Sequence, residues 1–90
     1  MPSGSQDSAF KLELKKLIVA ACNRETAPES IGDDDTLIGS DSALGLDSLD
    51  VLQVNVAIGQ HFGVRIDDSK HARRVMKSIN TLADFLRPGT

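Results

Sequence analysis

The sequence predicts an all-α fold, a small antiparallel bundle of three longer helices and one short helix, with a long loop between helices 1 and 2. Three observations predict it. Apolar residues recur at helical spacing in separate segments, and no two neighbouring segments alternate like paired strands. Ninety residues suit one domain near the lower size limit for folding without disulfides or metal. The single cysteine, Cys22, excludes an internal disulfide and favours a reducing compartment.

The first helix is predicted to begin near Ser8, which can cap it, and to run to about Asn23. Residues 1–7 are predicted to be a flexible lead and residues 88–90 a C-terminal tail, so the folded domain is expected over 8–87. The stripe expected to be buried comprises Phe10, Leu14, Leu17, Ile18 and Ala21.

Residues 24–46 are predicted to be a long, mostly irregular connection, because they hold Pro28, several glycines and serines, and a run of three aspartates. A loop of this length is uncommon unless it is functional or packed. Its apolar side chains are expected to lie on the bundle; they are Ile31, Leu37, Ile38, Leu44 and Leu46.

The second helix is predicted from Ser48 to Phe62, ended by Gly63, and it carries two apolar stripes instead of one. The first comprises Val51, Val54, Ile58 and Phe62. The second comprises Leu49, Leu52 and Val56. A surface helix of a small bundle needs only one buried stripe. One explanation is that the long loop folds over the second stripe, and the other is that the stripe stays partly exposed as a docking surface for partner proteins; the two are equally favoured and can both hold in part.

Two further helices complete the prediction. A short one is expected near residues 68–74, and the last begins at a cap supplied by Ser78 or Asn80 and ends before Pro88-Gly89. The apolar residues of the last helix are Ile79, Leu82, Phe85 and Leu86.

Charge is distributed unevenly along the chain. The net charge of −3 argues against general nucleic-acid binding, and the absence of Trp and Tyr argues against base stacking. Residues 28–50 hold seven acids and no Lys or Arg. The segment 65–77 is basic; its cations are Arg65, Lys70, Arg73, Arg74 and Lys77. This segment is either solvated surface or a partner-selective patch.

The chain shows no signal peptide and no apolar run of the roughly 20 residues that cross a bilayer, so we expect a cytoplasmic monomer with no membrane insertion. A hydrolase is disfavoured, because Gly-x-Ser-x-Gly is absent and His61 lies turns away from Ser48 on the same predicted helix. We expect both His61 and His71 to be solvated. One cysteine and two histidines match no zinc spacing, and the acidic run lacks the ligands of a calcium loop. No metal site is predicted.

The most informative segment is Leu44-Gly45-Leu46-Asp47-Ser48-Leu49-Asp50. A serine at a helix start lies beside backbone N–H groups that lack intrahelical partners, which suits a phosphate ester. The alternative is a purely structural role, in which Ser48 is an ordinary N-cap. The segment resembles the prosthetic-group attachment motif of acyl carrier proteins, and the resemblance extends to Ala57, Ile58, Phe62 and Ile66.

The resemblance implies a carrier and not an enzyme. In this family, a phosphopantetheinyl transferase attaches 4'-phosphopantetheine to the serine, here Ser48, which Asp47 and Leu49 flank. The thiol of the arm then holds acyl groups as thioesters. The implied partners are that transferase, an acyl-loading ligase or transferase, and ketosynthase or acyltransferase-type enzymes. The residues implied to contact them are Asp50, Leu52, Gln53 and Val56.

Departures from the family pattern predict a specialised pathway of fatty-acid, lipid or polyketide synthesis. Carriers of primary fatty-acid synthesis have several glutamates along the recognition helix, where this chain has Gln53, Gly59, Gln60 and His61. Two alternatives remain open. One is an aminoacyl carrier of the peptidyl or D-alanyl type, which the Asp-Ser-Leu form disfavours. The other is an unmodified module that docks through the second stripe.

Overall fold

The computed structural model describes residues 4–39, 42 and 44–87. It contains four α-helices, Ser8–Ala21 (α1), Ser48–Phe62 (α2), Ser69–Val75 (α3) and Ile79–Leu86 (α4), and 3-10 helices at Gly4–Gln6 and Pro28–Ser30. The all-α prediction is confirmed, although α4 is only one residue longer than α3. Residues 1–3 of the expected lead and the expected tail 88–90 lie outside the described residues. In the described part of the chain, no helix has the length and apolar character that crossing a membrane requires.

Short polar side chains fix where the helices begin. Asp7, not Ser8, caps α1 by accepting a hydrogen bond from the backbone N–H of Phe10, so the sequence prediction is off by one residue. Aspartate caps as well as serine does, and Asp7 is the residue whose backbone is extended. Of the two candidates for α4, Ser78 is the cap. Gly63 ends α2 in the left-handed conformation, as predicted.

The segment before α1 is ordered against the end of the chain, which its composition did not predict. Gly4 is buried, and its N–H donates to the carbonyl of Arg87 at 2.8 Å. A Cβ at Gly4 would overlap the carbonyl of Ala83, so only glycine fits. Arg87 also pairs with Asp7 at 2.7 Å and lies over the ring of Phe10. These contacts join the start of α1 to the end of α4.

The core is aliphatic and centres on the first stripe of α2. Helix α1 contacts α2 and α4, and α3 contacts the same two helices. Val54 and Ile58 of α2 are fully buried beside Leu14 and Ile18 of α1. Phe62 is half-buried and meets the Phe10 ring edge-on. The first stripe is therefore the stripe that holds the fold together.

The long loop is packed, as its apolar residues predicted. The buried ones are Ile31, Leu37, Leu44 and Leu46, while Ile38 is half-buried. Leu46 N–H donates to the carbonyl of Leu37 at 3.1 Å, and Leu37 N–H donates to the carbonyl of Lys77 at 3.1 Å. These bonds hold the loop between the start of α2 and the end of α3. The segment that enters α2 is thereby fixed in place.

Candidate functional site

The start of α2 is held by a reciprocal capping box. The carboxylate of Asp47 accepts a hydrogen bond from the N–H of Asp50 at 2.9 Å, and the carboxylate of Asp50 accepts one from the N–H of Asp47 at 3.2 Å. Ser48 is therefore the first helical residue, and interpreting it as an ordinary N-cap is wrong. Asp47 is the N-cap, the role that the alternative assigned to Ser48.

Because Asp47 caps the helix, the hydroxyl of Ser48 is free. The residue is exposed, and its oxygen makes no hydrogen bond to any described residue. Three other serine hydroxyls are engaged: Ser42 donates to the carbonyl of Leu37 and accepts from Gly45 N–H, Ser30 donates to the carbonyl of Ala27, and Ser78 caps α4. Backbone N–H groups in the first turn of a helix have no intrahelical acceptor. The Ser48 oxygen thus combines access from solvent with a local positive potential.

Arg24 fixes this helix start from outside the motif. Its Nη2 lies 2.8 Å from Oδ2 of Asp50, and the side chain of Asp50 is only 13% exposed. The same nitrogen is 3.5 Å from the carbonyl of Gly45. Sequence analysis missed Arg24. A signal existed, because the acid-only segment 28–50 has no cation of its own and Arg24 is the last one before it.

The two aspartates of the motif have different electrostatic environments. The hydrogen bond from the Asp50 amide lowers the pKa of Asp47, so this exposed carboxylate is ionised at neutral pH. The charge of Asp50 is balanced by Arg24. A phosphate on Ser48 would therefore meet one uncompensated carboxylate, Asp47, and not two. The proposed contact of Asp50 with partners stays a prediction, since its carboxylate already serves the helix cap.

The second stripe of α2 is exposed. Leu49, Leu52 and Val56 are 60%, 57% and 51% exposed, and they are the large apolar side chains most open to solvent among the described residues. The described part of the loop leaves this stripe open to solvent, so the alternative in which the loop buries the stripe is wrong. Gln53 is exposed alongside. The start of α2 therefore brings together Asp47, Ser48, Leu49, Leu52, Gln53 and Val56 on one surface, which we call the α2 surface.

The other reactive side chains form no hydrogen bond with Ser48, although the Cys22 thiol lies 3.8 Å from the carbonyl oxygen of Asp50, in the same helical turn as Ser48. Cys22 is 6% exposed, and burial, reinforced by the charge of Asp50, raises the pKa of its thiol to about 11. His61 contacts Glu13 at 3.0 Å, and His71 meets the ring of Phe85 edge-on; both histidines are exposed, as predicted. No group of three potential metal ligands occurs in the described residues.

The family model for the phosphopantetheine attachment site matches residues 13–86. A search of curated proteins found no significant match. The residues at the start of α2 fit the group, because a phosphodiester needs an accessible hydroxyl, and Ser48 supplies one beside first-turn N–H groups. The matched segment covers most of α1 and all of α2, α3 and α4. The chain therefore belongs to the phosphopantetheine-binding carrier family, whose members hold 4'-phosphopantetheine covalently.

Proposed function

We propose that Ser48 bears the 4'-phosphopantetheine and that the chain is an acyl carrier, which presents thioester-bound acyl groups to biosynthetic enzymes. The observation that carries this proposal is the free, exposed hydroxyl of Ser48 at the first position of α2, beside the exposed stripe of the same helix. The bound arm supplies a terminal thiol, on which acyl groups are held. The protein itself is a carrier and not a catalyst.

The chain's own residues provide the attachment point for the arm and hold that point in a fixed orientation. Ser48 offers its oxygen for the phosphodiester, and Asp47 keeps that oxygen available by taking over the cap. First-turn N–H groups stabilise the phosphate charge. Asp50 and Arg24 hold the turn in a single geometry, so little ordering is left to occur when an enzyme docks.

The α2 surface is proposed to dock the partners, namely the transferase, a loading ligase or acyltransferase, and ketosynthase-type enzymes. Leu49, Leu52 and Val56 supply apolar area that loses contact with water on docking. Gln53 lies among them and adds no charge. We expect docking here to depend only modestly on salt, because its main driving force is apolar and Asp47 is the one ionised side chain among the residues that define this surface.

A specialised pathway is also proposed, because the recognition helix departs from that of general fatty-acid carriers. The single cysteine favours a location in the cytoplasm. General fatty-acid enzymes would meet Gln53 and Gln60 where glutamates are usual in this family. The variant Gln53→Glu/Gln60→Glu should therefore be used better by such enzymes. Unchanged turnover by a general fatty-acid ketosynthase would contradict this part of the proposal.

Intact mass measures the attachment directly. The purified chain is incubated with coenzyme A and a broad-specificity phosphopantetheinyl transferase, alongside Ser48→Ala and Ser8→Ala. Ser8 is the matched control, because it too is an exposed serine at the first position of a helix behind a capping aspartate. We expect one added phosphopantetheine in the wild type and in Ser8→Ala, and none in Ser48→Ala.

Alkylation gives a second reading on the same samples. The thiol of Cys22 is buried and its pKa is raised to about 11, so iodoacetamide should leave it largely unreacted at neutral pH. The loaded chain should gain one fast-reacting thiol, that of the arm. A folded wild-type chain that gains no mass, even with several transferases, would favour the unmodified docking module, for which the exposed α2 stripe is equally suited.

A further inference from the structure

A second surface lies between the long loop and α3. An open groove of about 410 Å³ is lined by Thr36 and Ile38 on the loop side, and by Lys70, Arg73, Arg74 and Lys77 on the other. We call it the basic groove. Ile38 is half-buried and gives the groove an apolar wall, while the four cations are exposed. The proposed function makes no use of this groove.

The cations of the groove take no part in the ion pairs that connect the described elements of the fold. Elsewhere Lys11 and Lys15 pair with Asp33, Arg24 pairs with Asp50, and Arg87 pairs with Asp7. None of the four groove cations forms an ion pair with a residue that the structure describes. The neighbouring acid Asp68 is engaged as the cap of α3.

This concentration of like charge stands against the charge of the whole chain. Net charge is −3, yet four cations surround one groove, and no acid among the residues that the structure describes lines it. An ordinary solvated surface mixes both signs, whereas a single-sign field attracts a partner of opposite sign. Repulsion among the four cations costs stability, and an acidic partner would relieve it.

Backbone pairing connects the groove to the start of α2. Ile38 and Leu46 form an isolated parallel bridge, in which Gly39 N–H donates to the carbonyl of Leu46 at 3.0 Å. Leu46 lies two residues before Ser48. On the other side, Leu37 N–H donates to the carbonyl of Lys77, at the end of the groove. A partner in the basic groove would contact Ile38, which is bridged to the segment that leads into Ser48.

We propose that the basic groove docks an acidic surface of a partner protein, whose carboxylates meet the four cations while an apolar side chain packs on Ile38. An apolar centre with a charged rim is the usual composition of a protein docking site. A small anion fits less well, because exposed cations around an open groove hold a lone charge weakly in water. The proposal does not depend on modification of Ser48.

The test uses a synthetic helical peptide with a glutamate face and a central leucine, and an analogue with glutamine at each glutamate. Both are titrated into the ¹⁵N-labelled full chain at low salt, with amide shifts recorded. We expect the glutamate peptide to shift amides of residues 36–38 and 70–77, and to bind at least tenfold more tightly than its analogue. Ser48→Ala should bind it equally well.

Charge reversal supplies matched variants. Lys70→Glu and Lys16→Glu change net charge equally, and both lysines are exposed and outside any ion pair with described residues. Lys70 lies in the first turn of α3, where an acid is favourable, so this variant should fold. We expect Lys70→Glu to weaken peptide binding about tenfold and Lys16→Glu less than twofold.

Three outcomes would overturn the proposal. One is the absence of shifts at low salt. Another is equal weakening by the two variants, which would show attraction to overall charge only. The third is that vesicles containing phosphatidylglycerol bind the chain through residues 70–77 while the peptide does not, which would assign the groove to a membrane surface.

Discussion

Two helices of this chain begin in the same way. Asp7-Ser8 starts α1 and Asp47-Ser48 starts α2, and each aspartate accepts a hydrogen bond from the amide three residues on, at 3.1 and 2.9 Å. That bond is the main cause of a lowered pKa for both carboxylates. Both serines are exposed and have free hydroxyls. By local geometry alone, either serine could accept a phosphate ester.

The two helix starts differ in the side chains that come after the serine. Ser8 precedes Ala9 and the buried Phe10, and Arg87 covers that ring. Ser48 precedes an exposed apolar stripe, Leu49, Leu52 and Val56. A free serine hydroxyl at a helix start therefore does not by itself distinguish Ser48 from Ser8. We infer that the apolar surface beside Ser48 is what lets an enzyme select it.

The largest expected effect separates the two stripes of α2. Ile58→Ala removes a fully buried side chain and should lower the free energy of unfolding by about 3 kcal/mol. Leu52→Ala, on the exposed stripe, should change it by less than about 0.5 kcal/mol. Urea denaturation followed by circular dichroism measures both.

The two variants should affect loading by the transferase in the opposite order, with Leu52→Ala having the larger effect. Leu52→Ala should lower the transferase kcat/KM about tenfold, because it removes apolar contact area at the proposed docking surface. Ala9→Ser, at an exposed position next to Ser8 on α1, serves as a control that should leave loading unchanged. Normal loading of Leu52→Ala would remove the distinction between the two helix starts.

The next effect concerns Arg24, whose counterpart at α1 is Arg87. Arg24→Met leaves the nearly buried Asp50 carboxylate without its cation, which should cost about 1–2 kcal/mol of stability. The loss is limited, because the variant also removes Nε, a buried donor with no partner among the described residues. Faster amide exchange in the first turn of α2 would locate the effect; exchange that accelerates equally in α4 would contradict a local role.

A smaller effect tests the caps themselves. Asp47→Ala and Asp7→Ala should each cost about 1 kcal/mol, and the corresponding asparagine variants should recover most of it, because asparagine caps equally well. Thermal denaturation compares the four variants. Similar losses at the two sites would support equivalent helix starts, whereas a cost at Asp47 alone would show that their geometries differ in solution.

The smallest effect is on acid stability. Hydrogen bonds from Lys11 and Lys15 lower the pKa of Asp33 below its ordinary value of 3.8, as hydrogen bonds from backbone amides do for Asp7 and Asp47. A lowered folded-state pKa gives stability that is complete above the unfolded-state value and is lost as pH falls through the folded value. Stability should therefore decline below about pH 4. Asp33→Asn should make that decline shallower; an unchanged slope would contradict the Asp33 contribution.

The fold could be predicted from the sequence where periodicity and turn chemistry were strong. Helical spacing placed α2, Gly63 ended it, and the apolar residues of the loop predicted that the loop would pack. The cap of α1 was misplaced because Asp7 and Ser8 are adjacent and equally good caps. The packing of Gly4 on Ala83 could not be foreseen, since it depends on a contact nearly eighty residues away in sequence.

The site was predicted less completely. The motif predicted the position of the candidate site. The sequence could not decide whether the loop buries the second stripe of α2 or leaves it exposed, because that depends on the course of the loop. Arg24 lies outside the motif, and its pairing with Asp50 spans 26 residues. The basic groove needed the loop and α3 to be brought together, which periodicity within single helices cannot show.

Peptide-level mass spectrometry of the loaded chain locates the modification most directly. Trypsin cuts after Lys11, Arg24 and Arg65, so Ser8 is released in the peptide 1–11 and Ser48 in the peptide 25–65. We predict that phosphopantetheine is found on 25–65 alone and that fragmentation places it on Ser48. Its presence on 1–11, or on another serine of 25–65, would contradict the selection of Ser48 by its surroundings.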